Sequence, residues 1–313
     1  MGLAKQQLKM LGIQQPKTTK GGGFMSTTPS ADYYSSQFEY LEQQHADLQK
    51  AYADSWTKIE NENSSIGMIT LLTSTLNIAC EELTLLVENC SVTLNALSTM
   101  QTDQNSMQSF YNDANNLYND DYNKWYEQYI KEGQDPANAS YNANNQATSD
   151  MMGDPDFLQY VASAQACGSD MQDIANMGVV NPKTDKTSYP FESISEDITN
   201  QLNTIFAPYP GTSGPTGIAE NWCMGFGSAY QTTKPDSSDD SSTSSSGSSS
   251  SILQGITSAF SSIASDIGGL SSSTQSEEQF DVQEYNTMLQ ENQSLAKSFD
   301  QLLMAMVNNE ITS

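Results

Sequence analysis

His45 is the only histidine among 313 residues, and imidazole is the side chain best suited to move a proton near neutral pH or to hold a metal ion. Its neighbours point elsewhere. Phe38, Leu41, His45, Leu48, Tyr52, Ser55 and Ile59 recur at alternating steps of three and four, a heptad seam in which His45 is a packing position. Cysteines could supply a nucleophile or a zinc site, but Cys80, Cys90, Cys167 and Cys223 are widely spaced, with no CxxC pair and no histidine cluster. They read as buried small hydrophobes. The acidic pairs Glu81-Glu82 and Asp120-Asp121 read as solvated charge rather than a general acid and base. The run SFYNDANNLYNDDYNKWYEQYI would suit stacking on a sugar, yet its rings fall at helical spacing and describe a packing face. Gly217, Gly225 and Gly227 match no nucleotide-binding fingerprint, and no EF-hand loop is present. The expectation is a non-enzymatic protein with no catalytic residue, no cofactor site and no metal site. An enzyme using Cys167 or a buried carboxylate is the alternative.

Charge narrows the partners. Twelve cationic residues against 38 acidic ones give a formal net charge of −26, and all twelve are lysine. Without arginine the chain has no bidentate fork for phosphate or carboxylate. Nucleic acid and anionic membrane surfaces would repel such a chain, so no nucleic-acid partner is expected. The basic exception is the start, MGLAKQQLKMLGIQQPKTTKGGG, where Lys5, Lys9, Lys17 and Lys20 meet no acid; the first twenty residues carry +4 and the rest −30. It lacks the uninterrupted apolar core of a Sec signal. Gln6 stands where a myristoylation signal beginning at Gly2 would favour Ser or Thr. Residues 1–29 read as a flexible basic leader, either an export signal or a tail.

The elements that carry these residues are helical. Residues 30–133 read as a long antiparallel hairpin. Its first arm contains Phe38, Leu41 and Leu48; its second runs Ile69, Leu72, Leu76, Ala79, Leu83, Leu86, Cys90, Thr93, Leu97 and Met100. A second stripe, Leu71, Ile78, Leu85 and Val92, recurs every seven and demands at least two neighbours. Asn61 to Ser65 offers the turn, and Gly133 with Pro136 the stop. The apolar stretch 66–97 is interrupted by Glu81, Glu82 and Glu88, which argues against a transmembrane span.

Residues 134–234 read as a loop-rich polar middle with short helices. Residues 135–150 are expected as loop, a helix follows Asp154-Pro155, and another fits Ile194, Ile198, Leu202 and Ile205. Residues 235–251, PDSSDDSSTSSSGSSSS, read as a disordered linker. Residues 252–313 then give an amphipathic helix on Ile252, Ile256, Phe260, Ile263, Ile267 and Leu270, followed by a coiled-coil helix. The seam of that last helix is Tyr285, Met288, Asn292, Leu295, Phe299, Leu302 and Met306, with Asn292 as a register-fixing polar member. The fold class is all-α, a coiled-coil bundle of hairpin and C-terminal helix.

A basic leader, the hairpin over 30–132 and the terminal helix over 276–309, covering somewhat under half of the chain, resemble the needle-tip and extracellular filament subunits of bacterial type III secretion systems. The resemblance is architectural and carries over no functional residue. It implies a secreted protein, extracellular or on the bacterial cell surface, held by a cognate chaperone before export. It would then assemble with itself or dock on a secretion-apparatus component through its terminal coiled coil. The alternative is a membrane-active translocator or secreted effector using amphipathic helices 66–100 and 252–270.

Overall fold

Heptad spacing becomes helix through nearly the whole chain. The computed structural model describes residues 29–62, 65–181, 184–230 and 246–311; the basic leader before Pro29 and the first part of the serine-rich linker lie outside the described residues. Helix α1 (Ala31–Asn61) and α2 (Ser65–Lys131) form the expected antiparallel hairpin. The Tyr34 hydroxyl meets Thr99 Oγ1 at 2.7 Å and donates to the Asn95 carbonyl at 3.1 Å, while His45, further along α1, faces Glu82. At 67 residues, α2 spans roughly 100 Å at 1.5 Å per residue and packs against most other helices. It ends as expected at Gly133, whose φ of +85° is open to glycine without a Cβ clash, with Gln134 N–H donating to the Tyr129 carbonyl.

Residues 135–150, expected as loop, are instead helix α3 (Pro136–Met151). Asp135 caps it by accepting from the backbone of Ala137 and Asn138, and Pro136 takes the first turn. Its buried face is Ala139, Ala143, Ala147 and Met151, a stripe of small residues that a hydrophobic pattern barely registers. Helix α4 (Pro155–Ala175) follows with Asp154 as its cap, as the Asp-Pro pair indicates. A two-stranded antiparallel ribbon, β1 (Val179–Val180) and β2 (Thr187–Ser188), then leads into α5 (Glu192–Ile205) and α6 (Gly214–Gly227), with a short 3₁₀ turn at Ser228–Tyr230. The middle is therefore mostly helix.

The C-terminal helix α7 (Ser246–Ile311) corrects two further boundaries. It starts inside the stretch expected as linker, and it joins the expected pair of helices into one. Gly268 and Gly269, the natural break point, stay helical. Packing on either side outweighs their propensity cost of about 1 kcal/mol each.

The core is centred on the middle of α2. Met100, Met107, Ala114 and Tyr118 are fully buried, and Tyr111 lies within 5.5 Å of the rings of Trp222, Phe226 and Phe260. Trp222 Nε1 donates to the Ile205 carbonyl at 2.9 Å, satisfying the indole where no water reaches. This body gathers α3 to α6 around α2 and the first half of α7. Beyond it, among the described residues, the Gly67 half of α2 continues with α1 and the second half of α7 beside it, forming a three-helix stalk.

Candidate functional site

Among the described residues, α1 and α7 both run antiparallel to α2 in the stalk without packing broadly on each other. Gln104 Nε2 donates to the Phe260 carbonyl at 3.4 Å, Cys90 Sγ approaches Asp281 Oδ2 at 3.9 Å, and Asn292 Nδ2 donates to Asn77 Oδ1 at 3.0 Å. These pairs fix the α2–α7 register along its length. Asn292 thus finds its polar partner on α2 of the same chain.

The two sequence seams meet different fates. In the hairpin, Phe38, Leu41 and Leu83 are buried, Leu48, Ile69, Leu72 and Leu76 are half-buried, and Leu86 is 41% exposed. Leu86 departs from the expected packed seam because no described element lies over it. In α7, Tyr285, Met288, Asn292 and Phe299 are half-buried and Leu295 is 40% exposed, while the side chains of Leu302 and Met306 lie outside the described residues. Phe280, Val282 and Met304 on α7, and Tyr40 and Trp56 on α1, are also exposed. The sequence seams skip all five; a search for large apolar residues off the seam finds them.

One line of residues shows what the stalk lacks. Leu72, Ala79, Leu86, Thr93, Met100, Met107 and Ala114 stand seven apart on α2 and share a face. Met100, Met107 and Ala114 are fully buried, whereas Leu72, Ala79 and Thr93 are half-buried and Leu86 is open. In the body, α5 lies across α4 and α7. Gly168 lets it approach, since a Cβ there would meet the Phe206 ring at 2.6 Å, and on the other side Thr204 faces Gly255 of α7. Phe191, just before α5, packs edge-on against Phe38 of α1 at 6.5 Å, and the ribbon reaches further along α1, where Asn181 Nδ2 donates to Glu42 Oε2 at 2.8 Å. Past that point no described helix lies over the groove between α1 and α7.

No family model, curated protein or solved structure matches this chain. The site's chemistry is therefore read from its own side chains. His45 Nδ1 lies 3.6 Å from Glu82, and its Nε2 shares a hydrogen bond with Gln49 at 2.7 Å. Burial, then the charges of Asp281, Glu277 and Glu278, push the Cys90 thiol up to about 11. Burial and the nearby Asp103 push Cys167 to about 11 as well, and Cys80 and Cys223 are also raised. Raised thiols are poor nucleophiles at neutral pH. Among the described residues no cluster of three or more His, Cys, Asp or Glu could hold a metal ion. By length and composition α2 passes the test for a membrane-spanning helix: an 18-residue stretch within Gly67–Lys131 has mean hydropathy 1.2, and only 17% of it is buried.

Proposed function

We propose that this chain is a non-enzymatic, exported structural protein that docks or self-assembles through its stalk, in the manner of a type III-secreted tip or filament subunit. The observation that supports this most is the unfinished bundle. The stalk carries α2's apolar stretch at 17% burial, with Leu86, Phe280, Leu295 and Met304 open to water. Large apolar side chains left open along one stalk are where a partner would gain burial. A second copy, a component of the secretion apparatus or a chaperone before export would cover it, outside the cell or at its surface for the first two.

Light scattering on the full chain over a hundredfold concentration range tests the self-assembly limb. We expect mass to grow with concentration, and the paired substitutions Phe280→Gln and Leu295→Gln to abolish the growth with the helical signal unchanged. A strict monomer throughout would overturn it. A membrane-active translocator is the second reading, favoured by the hydropathy of α2. Flotation with neutral liposomes separates them: a tip or filament subunit stays in the aqueous phase.

A further inference from the structure

The open groove between α1 and α7 has a floor, walls and a rim. Its floor is Leu72, Ala79 and Leu86 on α2, the continuation of the line that is buried at Met100, Met107 and Ala114 in the body. Its rim is acidic. Glu82 stands on the α1 side, opposite His45, and Glu277, Glu278 and Asp281 of α7 cluster about Cys90 on the other. Among the described residues no lysine pairs with any of these four carboxylates. An apolar floor with acidic margins suits a basic segment that carries apolar side chains.

Inside this groove a second copy's stalk would set its own acidic rim against this one. The chain's own leader fits well. Lys5, Lys9, Lys17 and Lys20 stand without any acid before Asp32, and Leu3, Leu8, Leu11 and Ile13 are interspersed among them. Its attachment point is also right. Pro29 precedes α1, whose Tyr34 meets Asn95 and Thr99 on α2, within two turns of Thr93 at the upper end of the groove. From Thr93 to Leu72 the floor runs about 32 Å at 1.5 Å per residue. The 24 residues separating Lys5 from Pro29 reach up to about 80 Å when extended. We infer that the lysine-bearing leader, residues 3–20, docks in cis into the stalk groove, its apolar side chains over Leu72, Ala79 and Leu86 and its lysines against Glu82, Glu277, Glu278 and Asp281.

The inference concerns the same stalk as the proposed function but does not require assembly, and its test is read within one chain. A zero-length carbodiimide joins lysines only to carboxylates in direct contact, and it is applied to the full chain as an equal mixture of ¹⁴N- and ¹⁵N-labelled protein. We expect leader lysines linked to Glu82, Glu277, Glu278 or Asp281 of the same isotope. The yield should fall at least tenfold in 0.5 M salt or when Lys5, Lys9, Lys17 and Lys20 are all replaced by glutamate. The same four substitutions should accelerate amide hydrogen exchange over residues 72–93. Links shared equally between light and heavy chains would overturn docking in cis and assign the groove to a second copy. Absent links, or identical exchange in wild type and variant, would overturn it outright.

Discussion

Trp222 shows how much of the body rests on single side chains. It is fully buried, edge-on to Tyr111 at 4.9 Å, stacked near Phe206 at 6.2 Å, and bonded through Nε1 to the last carbonyl of α5. Trp222→Phe keeps a ring but leaves the Ile205 carbonyl without its indole donor. A stability loss of about 1–3 kcal/mol is expected for a buried acceptor left unpaired, read as a lower urea midpoint with unchanged slope. The apolar run around Trp222 is visible in the sequence, but its partners are not. Tyr111 is 111 residues away in the chain, and helical spacing on α2 alone reports only that it faces inward. Leu86 shows the converse. Its place on the seam was legible, yet exposure depends on whether another element crosses the groove above it, which no local pattern encodes.

At the scale of elements, patterning with large apolar residues was readable and patterning with small ones was not. The hairpin, its turn and the Gly133 stop follow from Leu and Ile at heptad steps and from a left-handed glycine. Helix α3 is hidden in the pattern because its buried face is alanine among asparagines, and only the Asp135-Pro136 pair marks its start. The continuity of α7 is hidden for a related reason. Two adjacent glycines predict a break, but Ile263 and Ile267 before them and Thr274 after them are buried against neighbours that hold the backbone in line. That continuity is testable. No atom lies within 4 Å of a Cβ built at Gly268 or Gly269, and both residues are exposed. Gly268→Ala and Gly269→Ala should each stabilise the chain by about 0.5–1 kcal/mol, measured by urea unfolding. A loss of stability would mean that the glycines turn the chain instead of continuing the helix.

Over the whole molecule charge is the dominant variable. Glu88, Asp121, Asp170 and Asp266 are all held above their ordinary values, in each case first by desolvation, which disfavours the ionised form. A carboxyl whose folded-state pKa exceeds its unfolded value near 3.8 or 4.5 binds protons more tightly when folded. Its contribution is therefore full below the unfolded value and is lost as pH rises through the folded one. Neutralising part of the −26 also relieves self-repulsion. The thermal midpoint should rise as pH is lowered from neutrality toward the ordinary carboxylate range, above the sequence pI of about 4.1 where solubility falls. A midpoint that declines over this interval would place the balance instead with carboxylates stabilised by native pairing.

Two helices, α2 and α7, pass from stalk to body without interruption. A joint between the two parts would need a break that neither helix contains, so the molecule behaves as a torsion bar with a weighted end. Rotation applied near Met68 is delivered along the same backbone to Tyr111 and, through it, to the indole of Trp222. Any partner that grips the tip thereby sets the orientation of everything carried at the other end.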